Sequence, residues 1–340
     1  MKPLRILALM HDYMVPPEDI SGYDLATVNW KTEYDVLSTL EEVGHTVLRV
    51  GIKDDLGVIR KAIEDDKPHI VFNLLEHFHE VSVFDTHVVS YLELLRVPYT
   101  GCNPRGLMLA RDKSLSKTLL ASHRIPVPGH TVIPLGRKVR RPKSLPFPLI
   151  VKSLTQDASI GISQASVVED DDKLRERVRF IHESIKTDAI VERYIEGREL
   201  YVGILGNVRL TVLPVWELSL SDLPEDAHRI ATERVKWSPK YQKKYRIRSG
   251  VVKDLPAAML ERIQHLCRRV YKTLLMSGYG RIDLRLDGEG RIWVLEANPN
   301  PQVAFGEDLA DSAEHAGLSY SDLLQRIIST GLSWRPERQG

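Results

Sequence analysis

Apolar and polar positions change their spacing along the chain, and each change marks an element. Arg5–Met10 is a short apolar run suited to a buried strand. Thr32–Val43 sets Val36, Leu37, Leu40 and Val43 at helical spacing and stops at Gly44. His45–Val50 reads as a strand, Leu56–Ile63 as a short helix, His69–Leu75 as a strand, Phe84–Arg96 as a helix and Val97–Thr100 as a brief strand. This alternation predicts a parallel sheet flanked by helices over the first hundred residues.

A helical pattern at Lys113–His123 leads into a stretch punctuated by Pro126, Pro128, Pro134, Pro142, Pro146 and Pro148, read as a linker and domain entry. Strands are expected at Phe147–Ser153 and Gln164–Val168, separated by a small-residue loop, Leu154–Ser163. Asp170, Asp171 and Asp172 open a helix to about Ser184, where acidic residues suit the positive N-terminal end. Strands follow at Ala189–Val191, Glu199–Leu205 and Val208–Val215. Ser219–Gly250 is a long polar segment, a length that points to a loop covering a site. Pro256–Met276 is a long helix. Tyr279–Leu286 and Arg291–Ala297 form a hairpin around Asp287-Gly288-Glu289-Gly290, and Tyr320–Ser329 is a closing helix.

Composition narrows the classes. The 340 residues suit two or three domains, and 43% hydrophobic with 27% charged residues is enough apolar surface for packed cores. Forty-seven Lys and Arg against 46 Asp and Glu leave a net charge of +1, which argues against a nucleic-acid-binding protein. Cys102 and Cys267 are too few for a disulfide framework. With no signal-peptide core and no apolar run near the ~20 residues a membrane span needs, the expectation is a cytoplasmic protein.

The hairpin carries the strongest chemical signal. Glu296 and Asn298 are two apart on a strand and so share a side, and the turn brings Asp283 beside Glu296. Two carboxylates and an amide oxygen suit a hard cation such as Mg²⁺. The alternative, an uncomplexed charged pair on a solvent face, sits poorly with the apolar flanks Ile292, Val294 and Leu295. Lys152 ends the apolar run Pro148-Leu149-Ile150-Val151, where a lysine either reaches a phosphate or snorkels to solvent. The loop Thr155–Gly161 has small residues whose N–H groups could cover phosphates, although it is neither a Walker A loop nor a GxGxxG turn. Val191–Glu199, a strand running into a turn, offers backbone groups for a purine and carboxylates for a ribose. Glu76-His77-Phe78-His79-Glu80 invites a metal reading, but two histidines without a distant partner favour a substrate-pocket or solvent role.

Val97-Pro98-Tyr99-Thr100-Gly101, Asp112-Lys113, Pro126-Val127-Pro128, Ile150-Val151-Lys152, the Glu192–Glu199 hinge, Gly280-Arg281-Ile282-Asp283 and Leu295-Glu296-Ala297-Asn298 occur in one order. In that order the chain resembles the ATP-grasp superfamily and, within it, the D-alanine–D-alanine ligase family, over roughly residues 70–330. The resemblance implies an α/β fold, α+β in part, with three domains: an N-terminal parallel-sheet domain on the substrate side (1–105), a small central lid domain (106–195) and a C-terminal catalytic domain (196–335). It makes Lys113 and Lys152 phosphate ligands, Lys152 also serving catalysis, with Ser159 in the phosphate loop. It places Glu192, Tyr194 and Ile195 on the adenine, Glu199 on the ribose hydroxyls and Leu295 beside the nucleotide. Asp283, Glu296 and Asn298 would bind two Mg²⁺ ions, with Mn²⁺ a possible substitute, and Arg281 would stabilise the charge of a tetrahedral intermediate. The implied cofactors are ATP and Mg²⁺. The implied partners are small carboxylate and amine substrates such as amino acids or peptides, with no nucleic acid and no membrane, in a family where homodimers are common.

The departures fall on the substrate side. Asp157-Ala158-Ser159 stands where the family carries Gly-Ser-Ser, Leu75-Glu76-His77 replaces Leu-His-Gly, and Pro299-Asn300-Pro301-Gln302 replaces Ser-Pro-Gly. His11-Asp12-Tyr13-Met14 replaces a glycine-rich serine loop. A basic run, Arg234, Lys236, Lys240, Lys243, Lys244, Arg246 and Arg248, suits an anionic or extended substrate as well as it suits a solvated loop. The expected activity is therefore an ATP-dependent carboxylate–amine ligase with an altered pocket. The alternatives are a ligase acting on a non-amino-acid carboxylate or a peptide or protein terminus, and a non-catalytic ATP-binding regulatory module.

Overall fold

The computed structural model describes residues 2–25, 27–156 and 159–338, and among them the chain builds three sheets in sequence order. In the first, β1 (Arg5–His11) lies between β2 (Thr46–Ile52) and β3 (Ile70–Asn73), all parallel. Helices α1 (Lys31–Glu42) and α2 (Gly57–Asp66) make the two crossovers, and α3 (Asp85–Leu94) follows β3. β1 is apolar at consecutive positions because both its faces are covered. Leu7 and Leu9 pack with Ile59 of α2 and Val88 of α3, whereas Ile6, Ala8 and Met10 pack with Val36 and Leu40 of α1. Leu324 and Ile328 of the last helix return to this second face. The strand expected at Val97–Thr100 is reduced to one parallel bridge, Tyr99 to Val71.

Two capped helices connect to the second sheet. α4 (Pro104–Arg111) starts at Asn103, which accepts from the N–H groups of Arg105 and Gly106, with Pro104 in the first turn. α5 (Lys113–Ser122) starts at Asp112, which accepts from Ser114 and Leu115. The second sheet is antiparallel, in the order β4 (His130–Ile133), β7 (Ala189–Arg193), β5 (Leu149–Ser153), β6 (Val167–Val168), and packs on α6 (Asp171–Phe180). The strand expected over Gln164–Val168 shrinks to its last two residues, because Ser163 and Ser166 cap a 3-10 turn before it.

In the third sheet β8 (Arg198–Leu205) lies between β10 (Trp216–Ser219) and β12 (Tyr279–Leu286); β13 (Ile292–Asn298) and β11 (Arg248–Val251) form the edges, and the short β9 (Thr211–Val212) pairs with β8. The strand expected at Val208–Val215 is only β9. The long segment expected as a loop starts at the last residue of β10, contains α7 (Glu233–Trp237) and α8 (Pro239–Lys244), and runs into β11. Ser and Thr side chains start both helices: Thr232 accepts from Val235, and Ser238 from Tyr241. α9 (Ala257–Thr273) covers the sheet, and α10 (Asp308–His315) and α11 (Tyr320–Ser333) complete the chain.

Candidate active site

A cleft opens between the second and third sheets. Lys113, Lys152, Ser159, Glu192, Tyr194, Ile195, Glu199, Asp283, Leu295 and Glu296, all singled out from sequence, line it. Arg281 and Asn298 lie beyond its lining, at the end of the hairpin, where they face each other in the β12–β13 register. Asp157 and Ala158 of the expected phosphate loop lie outside the described residues.

Buried charge pairs organise the cleft. Glu192 is 1% exposed and is held by Lys117 Nζ at 2.9 Å and Lys152 Nζ at 3.1 Å. Burial by itself would raise its carboxyl; the two lysines outweigh burial and hold it at about 2. Glu296 is likewise opposed by burial, yet Lys113, Lys152 and Lys236 bring it to about 2. Lys113 Nζ lies 3.7 Å from Glu296 and donates to the Gln156 carbonyl at 2.8 Å. Lys113, Lys152 and Lys236 line a space that can accept a polyanion, since an anion entering it would find cations already in place.

The hairpin behaves as its spacing predicts. Asp283 and Glu296 are direct cross-strand partners, and a bulge follows them because the register skips Leu295. The Leu295 carbonyl accepts from Lys117, so the bulge supplies a backbone acceptor to a lysine that would otherwise have a single partner. Arg281 grips Asp283 with two bonds of 2.7 and 2.9 Å and lies over the Tyr201 ring at 4.6 Å. Burial raises the Asp283 carboxyl and Glu296 adds to this, with Arg281 opposing. The Asn298 side-chain oxygen accepts from the Asn300 N–H at 2.9 Å, which fixes the turn that follows. Two carboxylates and an amide oxygen are a hard-donor set that fits Mg²⁺. Among the described residues no three His, Cys, Asp or Glu side chains cluster as a metal site, and the expected set has two of these plus the amide.

Three lining or supporting residues carry more than the sequence reading assigned. Lys117 stands one helical turn after Lys113 on α5, so helical spacing would have found it. Arg285 is two residues after Asp283 on β12 and shares its face. Lys236 of α7 reaches the carboxylates from the covering segment.

Outside the cleft, His77 stacks on His11 with ring centroids 3.7 Å apart, and its Nε2 lies 2.9 Å from the Tyr13 hydroxyl. His79 is exposed at φ +51°. Glu76–Glu80 thus builds a ring stack at the ends of β1 and β3. Trp30 and Trp216 are buried, and Trp237 is exposed.

Comparison with known proteins places this geometry. A family model described as D-ala D-ala ligase C-terminus matches residues 119–329. A protein designated y4sG from Sinorhizobium fredii is 33% identical over 302 residues, covering 86% of this chain and 85% of that protein. A D-alanine–D-alanine ligase from Bordetella avium is 30% identical over 252 residues, 72% of this chain and 73% of that protein. The crystal structure of a D-alanine–D-alanine ligase from Bacillus anthracis complexed with ATP superposes with a TM-score of 0.74 at 24% identity over 97% of each chain, a likeness of fold. No helix among the described residues is long and apolar enough to cross a membrane. Sequence and fold together show that the chain belongs to the D-alanine–D-alanine ligase family, with the ATP-grasp architecture.

Proposed function

We propose that the chain is an ATP-dependent ligase that joins a carboxylate to an amine through an acyl phosphate. The observation that carries this reading is the hairpin that sets Arg281, Asp283 and Glu296 at the end of a cleft whose other wall presents Lys113 and Lys152. In this reading the units 1–105, 106–195 and 196–335 surround the cleft, the first supplying the substrate side.

Glu192, Tyr194, Ile195 and Leu295 hold the base, Glu199 accepts from the ribose, and Lys113, Lys152 and Ser159 cover the phosphates. Asp283, Glu296 and Asn298 would hold Mg²⁺, or Mn²⁺ in its place, which when bound would supply neutralisation of phosphate charge. A carboxylate oxygen attacks the γ-phosphorus and the bond to ADP breaks, so a poor leaving group, oxide, is replaced by phosphate. The amine nitrogen then attacks the acyl carbon, phosphate departs and the amine loses a proton. Arg281 stabilises the oxyanion formed in between, and α7–α8 excludes water that would hydrolyse the acyl phosphate.

The nucleotide end matches the family and the substrate end does not, so the reading is of an altered pocket. A second observation favours an anionic or extended co-substrate. Between 233 and 250 seven Lys and Arg stand against Glu233, and Arg234, Lys240, Lys243, Lys244, Arg246 and Arg248 are exposed.

The test is product analysis by mass spectrometry with Mg-ATP and pools of D- and L-amino acids, small peptides and common carboxylates. ADP that depends on a pool, with a new mass equal to two substrates minus water, supports the ligase. A KM that rises with ionic strength for the consumed substrate supports the anionic reading. ATP binding without ADP from any pool favours a nucleotide-binding module.

A further inference from the structure

We infer that Arg285 is a positioning residue that shapes Glu199 into an acceptor for the ribose diol and ties the covering segment to it. The inference rests on the proposed role of Glu199 at the ribose.

Arg285 is 3% exposed at the floor of the cleft. Its guanidinium joins three parts of the molecule. Nη2 donates to Glu199 Oε2 at 2.7 Å on β8, Nη1 donates to the Ile195 carbonyl at 2.9 Å in the hinge, and Nη2 also donates to the Arg229 carbonyl. It also lies 5.6 Å from the centre of the Tyr194 ring. A guanidinium suits this place because it stays charged and offers a fixed fork of donors; an ammonium is a single point.

Counting acceptor sites shows what this does to Glu199. A carboxylate has about four lone-pair positions. Arg285 takes one on Oε2, and the buried Tyr201 hydroxyl takes one on Oε1 at 3.0 Å. About two remain, one on each oxygen, which is the demand of a vicinal diol that donates twice. Glu199 is 8% exposed and its rotamer is fixed from both ends, so the two free positions are presented without further ordering. The Ile195 carbonyl gives one of its two lone pairs to Arg285, which fixes the hinge backbone beside the base.

The third contact reaches the cover. Arg229 precedes Ile230 and Ala231, which line the cleft, and Thr232, which caps α7. The guanidinium that aligns the ribose carboxylate therefore also anchors the base of the α7–α8 segment.

The experiment is binding of ATP, 2′-deoxyATP and 3′-deoxyATP, each with Mg²⁺, to the full chain by calorimetry, for the unaltered protein, Arg285→Met and Arg285→Lys. Melting curves establish which variants fold. The unaltered chain is expected to prefer ATP over each deoxy analogue by about tenfold, the value of one charge-assisted hydrogen bond. Arg285→Met is expected to weaken ATP by about tenfold and to bring both ratios below about three. Arg285→Lys retains the charge and loses the fork; it is expected to bind ATP within about threefold of the unaltered chain while each ratio falls at least about twofold. Proteolysis within 233–248, slowed by ATP in the unaltered chain, is expected to stay fast in both variants. Unchanged ratios in a folded variant overturn the role of Arg285 while leaving the ATP site standing. Absence of ATP binding by the unaltered chain overturns the nucleotide reading itself.

Discussion

The nucleotide cleft and the mouth of the parallel sheet are built on opposite electrostatic plans. In the cleft, Glu192 and Glu296 are held ionised by lysines, and Glu199 is clamped by Arg285 at 2.7 Å. At the mouth, burial pushes His11 down to about 4, with His77 adding to this and Asp12 opposing, and burial raises the Glu33 carboxyl to about 7. The Glu33 backbone N–H opposes that rise and Glu76 adds to it. The two places meet: Ser82 Oγ of the loop after β3 lies 3.3 Å from Gln156 Oε1 in the Thr155–Gly161 loop. A charged ligand of fixed structure can be met by fixed counter-charges, whereas a mouth of stacked rings selects by shape and hydrogen bonding.

The largest test of this contrast removes charge at the hairpin end. Arg281→Ala is expected to lower ADP formation by about 10²–10³ while nucleotide affinity is retained, as loss of an oxyanion donor does. Equal loss of ATP binding in calorimetry would return Arg281 to the binding site. Next is the back wall. Lys117→Met removes one of the two cations on a fully buried carboxylate and is expected to cost about 3 kcal/mol in denaturant unfolding. A change under about 1 kcal/mol would mean Lys152 satisfies Glu192 by itself.

The mouth is tested by pH. Glu33 titrates near 7 in the folded chain and near 4.5 unfolded, so the native state binds more protons between these values. Its contribution to stability therefore falls as pH rises from about 4.5 to 7, by about 3 kcal/mol in all. His11, near 4 folded and 6.5 unfolded, acts in the opposite sense: its contribution rises with pH from about 4 to 6.5. Glu33→Gln should remove the first slope, raise stability at pH 8 and leave a pH profile that climbs between 4 and 6.5. Unfolding at pH 5 and pH 8 measures both. The smallest effect is expected for Tyr13→Phe, which loses the bond to His77: under about 1 kcal/mol of stability, with Mg-ATP affinity within about twofold. A larger loss of ATP affinity would show that the mouth and the cleft are one site.

What could be read in advance follows the same division. Asp283, Glu296 and Asn298 were legible because strand period and turn length fix which side chains meet. Lys113 and Lys152 were legible as motif members, while Lys117 and Arg285 obey the same periodicities without belonging to a motif. The start of α4 is marked in sequence only by Asn103-Pro104, a capping signal. Residues 219–250 look like a loop in sequence because α7 and α8 are too short to show a period.

By itself the sequence determined the family, the N-terminal parallel sheet and the residues of the hairpin, because strand alternation, turn chemistry and motif order are local or near-local properties. Tertiary structure decided which lysine faces which carboxylate, that the Leu295 bulge offers its carbonyl to Lys117, and that Arg285 joins hinge, β8 and covering segment. Those partners lie from 56 to 178 residues apart along the chain. Strand pairing within the third sheet sets Arg285 beside Glu199, the packing of α5, the hinge and the covering segment on that sheet supplies the other partners, and shared burial makes each pairing obligatory.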